Sequence, residues 1–315
     1  MRMKYINTLG EGDSVRSIYL CKGKRTAETR NGKPYDNVIL QDKTGNLDGK
    51  VWEPNSQGIS DYEENDFIEV VGDIISYNNN LQMNIKQIRK VDVSEYNVAD
   101  YSPSTKKDVE EMYGEVLRYI KAIENEHLRK VAEYFYVGNE EFVKRFKGHS
   151  AAKSVHHSFC GGLLEHTVSI LKICEFFANQ YPIINRSLLY TAALYHDIGK
   201  VRELSEFPQN DFTEAGQLVG HIVIGVEMVG EAIASIEEFP DLLANELKHC
   251  ILAHHGELEY GSPKKPALVE AVALHFADNV DSKMQILIEA FEEKPNLDWI
   301  GYNRLFESNL RRTEV

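Results

Sequence analysis

The sequence lacks the features that mark secreted and membrane proteins. No stretch approaches the roughly 20 apolar residues of a membrane-spanning helix. The opening segment, MRMKYINTLGEGDS, has no apolar run of the kind found in a secretory signal. The four cysteines, Cys21, Cys160, Cys174 and Cys250, are widely spaced and form no Cys-x-x-Cys pair. We therefore expect reduced thiols in a cytoplasmic protein, rather than a disulfide framework or a zinc knuckle.

Internal repeats and low-complexity segments are also absent from the sequence. Hydrophobic residues make up 43% of the 315 residues and charged residues 27%, which is ordinary for a soluble globular protein. A chain of this length is long enough to form two domains, each with its own core.

The sequence has no overall excess of positive charge, since its net charge is −14. The negative charge is unevenly distributed: residues 1–90 hold 13 Lys and Arg against 13 Asp and Glu, whereas the rest hold 22 against 36. Within the neutral part, the segment KGKRTAETRNGK at 22–33 carries five basic residues and one acidic residue. Such a segment suits contacts with nucleic-acid phosphates, and a solvated turn is the alternative. The candidates for these contacts are Lys22, Lys24, Arg25 and Lys33.

Residues 14–90 alternate between apolar and polar positions in five short runs. The runs are SVRSIYLCK, NVILQD, GKVW, DFIEVVGDIISY and LQMNIKQIRKV, with turn residues such as Asn31-Gly32 and Asp48-Gly49 between them. Five short strands with a polar segment between the third and the fourth predict a small closed β-barrel of OB type. We assign this domain to residues 1–92.

Four aromatic residues lie on or beside these strands: Tyr19, Tyr35, Trp52 and Tyr77. Each of them can fill the barrel, or can present a ring on which a base stacks, as in proteins that bind single strands. We expect Tyr35 to be exposed because it borders the basic segment. Tyr35 and Trp52 are the aromatic candidates for nucleic-acid binding.

The alternation stops after the fifth run. Residues 93–107, which include Ser102-Pro103-Ser104, predict a linker. From residue 108 to residue 315 the pattern is helical. The sequence therefore predicts a multidomain chain in which an N-terminal OB-like β-barrel precedes an all-α domain. An edge of the barrel and the amphipathic helices at 108–135 offer surfaces for self-association into a homo-oligomer.

Five helical segments each place a histidine or an aspartate on an apolar face. His166, for example, shares a face with Ile170, Ile173 and Phe177. A single such histidine is usually a satisfied core residue, but burying five polar positions is costly without compensation. Divalent metal ions provide that compensation, since imidazole and carboxylate are ligands for zinc, manganese or iron. The ordered set is His166, His196-Asp197, His221, His254-His255 and Asp278.

Asp197 directly follows His196, which places the two side chains about 100° apart around a helix. A carboxylate in this position can bridge two metal ions while its neighbour binds only one. Two metals about 3.5–4 Å apart hold a hydroxide and clamp the oxygens of a phosphodiester during in-line displacement. The pattern therefore predicts a metal-dependent hydrolase of phosphoesters.

The ordered set resembles the HD-domain metal-dependent phosphohydrolase superfamily, of which the segments GGLLEHT (161–167) and LYHDIGK (194–200) are typical. The resemblance extends from about residue 155 to residue 285. It implies two metal ions bridged by Asp197. The first ion would be held by His166, His196, Asp197 and Asp278, and the second by His221, His254 and Asp197.

Several neighbouring residues have two interpretations. His255 is either a further metal ligand or a phosphate contact. Lys200 would neutralise charge developing on the phosphate, or would be a cation stabilised at a helix C-terminus. His156 and His157 would contact the scissile phosphate or form a polar helix cap. Glu165 would extend the metal set or face solvent. The residues expected to act in catalysis are Asp197, Lys200 and His255.

An OB-like module ahead of an HD domain, in a chain of this length, resembles the YhaM family of 3′–5′ exoribonucleases over nearly the whole sequence. This resemblance implies manganese-dependent hydrolysis of single-stranded RNA, and less readily of single-stranded DNA, from the 3′ end to nucleoside monophosphates. The residues alone support only metal-assisted phosphoester hydrolysis. One alternative is a hydrolase of a nucleotide or other small phosphoester whose barrel is regulatory. Another is a non-catalytic nucleic-acid-binding accessory factor, which the intact ligand set disfavours.

Overall fold

The chain folds into two compact units. The first consists of Met1–Ser104 with Phe207–Gln209, and the second consists of Thr105–Glu206 with Asn210–Val315. The computed structural model describes residues 3–29, 31–78, 80–102, 104–152, 159–294 and 297–314.

The first unit is a closed barrel of five strands. Its strands are β1 (Ser14–Glu28), β2 (Pro34–Asp42), β3 (Gly45–Val51), β4 (Phe67–Tyr77) and β5 (Asn80–Lys90). They follow the order β1-β2-β3-β5-β4, in which β3 and β5 are parallel and the other pairs are antiparallel. This confirms the predicted OB-type barrel. We expected a free edge of the barrel to offer a surface for self-association. Because the barrel is closed, its described strands leave no such edge.

The alternation in the sequence corresponds to the inside and the outside of the barrel. Along β2, for example, Asp36, Val38 and Leu40 are buried and the residues between them face outward. Tyr19 is fully buried among the apolar side chains, and its hydroxyl donates to the Lys4 carbonyl oxygen at 2.6 Å. This partner allows a large aromatic residue to fill the core without leaving its hydroxyl unsatisfied.

Residues 93–102, which we expected to belong to a linker, pack against the barrel instead. The segment forms two 3-10 turns, Val93–Glu95 and Val98–Asp100. Phe67 stacks on Tyr96 with ring centroids 3.9 Å apart and meets the edge of the buried Tyr101 at 5.0 Å. The segment is ordered because its aromatic residues bury apolar surface on the barrel.

The second unit is predominantly helical, as predicted. Asparagine and aspartate caps set several of its helix starts: the Asp108 side chain accepts a hydrogen bond from the Glu111 amide, and the Asn185 side chain accepts one from the Leu188 amide. No helix in the described residues combines the length and the apolar character needed to cross a bilayer. The helices are α1 (Val109–Lys121), α2 (Glu126–Tyr136), α3 (Glu140–Gly148), α4 (Gly162–Gln180), α5 (Arg186–Tyr195), α6 (Lys200–Glu203), α7 (Glu214–Leu218), α8 (His221–Ala234), α9 (Asp241–Leu252) and α10 (Val269–Glu293).

A β-hairpin follows the last helix, which differs from the expectation of helices up to residue 315. Its strands are β6 (Trp299–Asn303) and β7 (Ser308–Arg311). Gly301, with φ +99°, lies at the irregularity in this pairing, and Glu307 has φ +48° in the turn. These backbone conformations are incompatible with a continuing helix.

Gly72 marks the tightest approach between two strands of the barrel. It lies where the pairing of β4 with β5 shifts register. A Cβ atom at this position would lie 2.4 Å from the backbone oxygen of Asn84 and 3.0 Å from the Cγ atom of Met83. Since a backbone oxygen in a ladder cannot move aside, only glycine fits here.

We expect Gly72→Ala to lower the free energy of unfolding of the barrel by about 1–3 kcal/mol, the usual cost of overpacking. The matched control is Gly10→Ala, whose added methyl group would meet only the Asp13 carboxylate at 4.0 Å. Urea unfolding followed by fluorescence in a Trp299→Phe background reports on Trp52 alone, because the chain has two tryptophans. Equal midpoints for the two glycine variants would contradict the prediction.

Candidate functional site

Five elements of the second unit bring the predicted metal ligands together. His166 lies in the first turns of α4, and His196 and Asp197 directly follow α5. His221 is the first residue of α8, His254 and His255 come just after α9, and Asp278 lies on α10. Three of the histidines, His196, His254 and His255, therefore follow helix C-termini rather than lying in helix interiors, although the predicted convergence is present.

The first group of side chains surrounds one oxygen of Asp197. His166 Nε2 lies 3.5 Å from Asp197 Oδ2, 3.1 Å from His196 Nε2 and 3.3 Å from Asp278 Oδ1. His196 Nε2 also lies 3.5 Å from Asp197 Oδ2. His166, His196 and Asp197 are all buried. Two imidazoles and two carboxylates at these distances form a suitable set of ligands for one divalent cation.

The second group surrounds the other oxygen of the same carboxylate. Asp197 Oδ1 lies 3.5 Å from His221 Nε2 and 3.8 Å from His254 Nε2. Each of His221, His254 and His255 offers one ligand atom, and these three atoms lie within 4.8 Å of one another. Asp197 therefore belongs to both groups, with one oxygen facing each.

Three buried atoms of the second group have no hydrogen-bond partner among the described residues: Asp197 Oδ1, His221 Nε2 and His254 Nε2. Leaving a buried polar atom unsatisfied costs about 1–3 kcal/mol, and more for a charged group. These three atoms converge on one region, and all three are metal-ligating types. The donor set therefore fits a divalent cation, which would satisfy all three atoms at once.

Every histidine of the cluster has its Nδ1 atom fixed by an acceptor. His196 Nδ1 donates to the Ala193 carbonyl oxygen at 2.7 Å, and His254 Nδ1 donates to the Ile251 carbonyl oxygen at 2.6 Å. His255 Nδ1 donates to the carbonyl oxygen of Tyr260 at 2.9 Å. These bonds select the tautomer that leaves Nε2 available as a ligand atom.

Two carboxylates that orient histidines were not predicted from the sequence. His166 Nδ1 donates to Asp281 Oδ2 at 2.7 Å, and Ser169 donates to the other oxygen of Asp281. Glu203 Oε1 accepts hydrogen bonds from both the amide and the Nδ1 atom of His221, at 2.8 and 3.0 Å. A signal was available for Asp281, since it lies one helical turn after Asp278. For Glu203 the sequence offers no comparable signal.

The cluster stabilises positive charge at its centre. Burial alone would raise the pKa of Asp197, but Lys200, His196 and His221 hold it well below its usual range. Burial lowers the pKa of His254 well below its usual range, which keeps this imidazole neutral and suited to ligation. Burial also acts to lower the pKa of His166, but hydrogen bonds with Asp278 and Asp281 raise it to about 10.

Gly199 of the HDIGK segment lies where α6 meets the helix that carries His221. A Cβ atom on Gly199 would lie 2.1 Å from the His221 carbonyl oxygen and 2.8 Å from the Gly225 amide nitrogen. Only glycine permits this approach. The close contact sets the distance between Asp197 and the first turn of α8.

The neighbouring candidates have different surroundings. Lys200 Nζ lies 2.6 Å from Asp197 Oδ2 and is largely buried, so it belongs to the cluster. Glu165 is buried but is directed elsewhere: it accepts a hydrogen bond from Thr105 Oγ1 and pairs with Lys107 Nζ at 2.9 Å. It is therefore neither a ligand nor solvent-exposed. His156 and His157 lie outside the described residues.

In the barrel unit, strand register aligns a row of polar side chains across four strands. Arg25 pairs with Asn37, Asn37 with Lys50, and Lys50 with Asn84. Paired residues share one face of a sheet. Val38, which directly follows Asn37 on β2, is buried. Because neighbouring residues on a strand face opposite sides, the row lies on the outer face of the barrel.

Two aromatic rings lie beside this row. Tyr35 and Trp52 stack with centroids 5.2 Å apart and planes inclined by 29°. Lys50 Nζ lies 5.5 Å from the centre of the Tyr35 ring, and Trp52 Nε1 donates to Asn84 Oδ1 at 3.2 Å. Trp52 is exposed and Tyr35 is half-buried rather than exposed as we expected, since the stacked indole covers one side of its ring.

Lys24 does not belong to this outer face. It pairs with Val38 in the register, and its ammonium donates to the Tyr62 carbonyl oxygen at 2.7 Å and lies 4.4 Å from the centre of the Tyr62 ring. Its charge is thus used to hold the segment between β3 and β4, which differs from the predicted phosphate contact. Lys22 lies half-buried at the irregularity of β1, and Lys33 is exposed just before β2.

A closed OB-like barrel with a helical unit that gathers His166, His196, Asp197 and Asp278 defines an HD-domain metal-dependent phosphohydrolase. The family model described as "HD domain" matches residues 163–283. The domain and its His/Asp clusters indicate a divalent-metal site.

The chain belongs to the family of the 3′–5′ exoribonuclease YhaM. It is 36% identical to the protein of that name from Geobacillus sp. (strain WCH70) over 286 residues, covering 90% of this chain and 86% of the relative. It is 33% identical to the Bacillus subtilis (strain 168) protein over 283 residues, covering 89% and 88%. The family predicted from the sequence is therefore confirmed.

Among solved structures, the chain is similar to the second OB-fold domain of replication protein A from Methanococcus maripaludis. The match has 18% identity and a TM-score of 0.24, and it covers 29% of this chain and 96% of that domain. At these values nothing further is built on the match. The OB-type fold of the barrel is assigned from its strand order and its closure.

We expect Asp281→Ala to weaken manganese binding by about 10–100-fold, because it removes the acceptor that orients the His166 ring. Isothermal titration of the metal-free protein measures this directly. Asp241→Ala is the matched control, since this aspartate lies in the first turn of α9, away from the cluster. Equal affinities in the two variants would show that Asp281 does not support the metal site.

Proposed function

We propose that the chain hydrolyses single-stranded RNA, and less readily single-stranded DNA, from the 3′ end to nucleoside monophosphates, with two divalent ions, manganese by preference. The observation that carries the proposal is the shared Asp197, whose two oxygens face separate groups of histidines. A carboxylate with this arrangement suits two metals acting on one phosphodiester. The relatives named as 3′–5′ exoribonucleases support RNA as the substrate.

In this proposal each group of side chains holds one ion. When bound, the ions would supply a water nucleophile near neutral pH and neutralise charge on the phosphodiester. The second ion would also have His255 within reach, either as a ligand or as a phosphate contact. The first ion would be held by His166, His196, Asp197 and Asp278, and the second by His221, His254 and Asp197.

The protein's own groups contribute orientation and charge. Asp281 and Glu203 fix the rings of His166 and His221 through their Nδ1 atoms. Lys200 Nζ contacts Asp197 and is buried beside it, so its ammonium would be available to a phosphate oxygen at the cluster. His156 and His157 stay candidates for the same phosphate on the basis of the sequence.

The barrel would hold the RNA strand by its phosphates and the faces of its bases. Arg25 and Lys50 supply positive charge on the outer face, and Tyr35 and Trp52 supply stacked rings beside it. Proteins that bind single strands without reading sequence combine these two elements. Lys22 and Lys33 would extend the positive charge at the margins of this face.

End-labelled RNA tests the proposal. With manganese, a 5′-labelled single strand is expected to shorten by one nucleotide at a time, and a 3′-labelled strand is expected to release a labelled mononucleotide. The double variant His196→Ala/Asp197→Ala removes ligands from both groups and is expected to abolish shortening. The matched control is His127→Ala/Asp241→Ala, which changes the same residue types on α2 and α9. Shortening by the first double variant at the rate of the wild type would exclude the proposed centre.

The barrel face has a separate test. We expect Arg25→Glu/Lys50→Glu to raise KM for RNA by about tenfold or more and to reduce the salt dependence of binding, because two phosphate contacts are lost. Hydrolysis of the base-free diester bis(p-nitrophenyl) phosphate should not change. Lys50→Arg keeps the charge and serves as the control. Unchanged RNA affinity in the double variant would remove the barrel face from the substrate path.

A further inference from the structure

Some side chains of the metal cluster are partly exposed to solvent. His166, His196 and His254 are almost completely buried, whereas the His221 side chain is 15% exposed and His255 is half-buried. The rings of His221 and His255 lie side by side, with centroids 5.3 Å apart. The Asp278 side chain is 17% exposed, so solvent reaches the cluster at these two histidines and at Asp278.

Exposed apolar side chains follow His255 closely in the chain. Leu258 and Tyr260 are exposed, and 63% of the Tyr260 surface is accessible to solvent. The Tyr260 backbone lies next to the cluster, because His255 Nδ1 donates to the Tyr260 carbonyl oxygen. The exposed Tyr260 side chain is thus attached to backbone that lies beside the cluster.

The backbone of this segment is rigidly held. The Tyr260 amide donates to the Glu257 carbonyl oxygen at 3.1 Å, and the Gly261 amide donates to the Leu258 carbonyl oxygen at 3.0 Å. The buried Ser262 hydroxyl donates to the Leu252 carbonyl oxygen at 2.8 Å. These bonds hold the backbone that carries Tyr260, so little backbone entropy has to be lost when a ligand binds there.

A second pair of exposed apolar side chains precedes His221. Leu218 is 79% accessible and Val219 is also exposed, three and two residues ahead of this histidine respectively. Exposed apolar side chains therefore lie close in sequence to both His221 and His255. We name Leu218, Val219, Leu258 and Tyr260 the apolar rim.

We infer that the apolar rim binds the base of the nucleotide whose phosphate lies at the metals, with the Tyr260 ring stacked on that base. This inference rests on the proposed function. Exposed apolar groups beside a cluster that attracts phosphate match the two parts of a nucleotide, which is anionic at one end and flat and apolar at the other. Stacking is tolerant of base identity because every base has a π-face. The rim would therefore hold any terminal nucleotide.

The contribution of the base is measured by comparing adenosine monophosphate with ribose 5-phosphate, which has no base. Isothermal titration of the manganese-loaded wild type is expected to show about tenfold tighter binding of the nucleotide, the usual effect of one aromatic stack. Tyr260→Ala should abolish this preference and leave the affinity for ribose 5-phosphate unchanged. Tyr260→Phe should retain it, because the ring remains.

The matched control is Tyr181→Ala, which removes an exposed tyrosine at the far end of α4, about 22 Å along the helix from His166. It should behave as the wild type. Tyr260→Ala should also lower kcat/KM for RNA about tenfold.

Equal affinity of the wild type for the two compounds, or a preference that survives in Tyr260→Ala, would overturn the inference. Failure of the proposed function would be recognised differently, as the absence of RNA shortening by the wild type with manganese. The affinity ratio uses no RNA, so the two failures are distinguishable.

Discussion

The carboxylate of Asp197 is the constraint on which the helical unit depends. It is buried, and each of its oxygens faces a different group of imidazoles. A buried charge is tolerated only when other charges and ligands compensate for it. Lys200 and the surrounding histidines supply part of that compensation, and a divalent cation would satisfy the atoms that have no partner among the described residues. The positions of five separate elements are therefore tied to one side chain.

The supporting contacts follow from the same requirement. A histidine ligand is useful only in one tautomer and one orientation, so each Nδ1 atom is held by an acceptor. Helix C-termini provide this acceptor for His196 and His254, whose Nδ1 atoms reach the carbonyl oxygens of Ala193 and Ile251. His166 lies near a helix start, where no backbone carbonyl is free, and depends on Asp281 instead. The local backbone thus decides which histidines need a carboxylate.

The barrel shows where prediction from sequence is reliable and where it fails. Alternation of apolar and polar residues predicted the five strands, because alternation directly encodes the two faces of a strand. Their number, with the polar segment between the third and the fourth, predicted closure into a barrel. The same alternation also separates the basic residues of β1 by face. Arg25 lies on the outer face and Lys24 does not, since neighbouring residues on a strand point to opposite sides. The aromatic residues after residue 92 lie in a segment whose sequence predicts a linker. Their packing partner, Phe67, is distant in the chain, so the local sequence does not reveal the contact.

The sequence by itself determined the class of chemistry. Histidine and aspartate on the apolar faces of helices are too costly to bury without a common partner, so their pattern alone predicted a shared metal site. Tertiary structure decided which oxygen of Asp197 faces which histidine and which carboxylates orient the rings. It also decided that His221 and Asp278 are partly exposed whereas His166, His196 and His254 are buried. The physical reason is that residue identity fixes the free energy of burial, whereas distances between atoms far apart in the chain depend on how the helices pack.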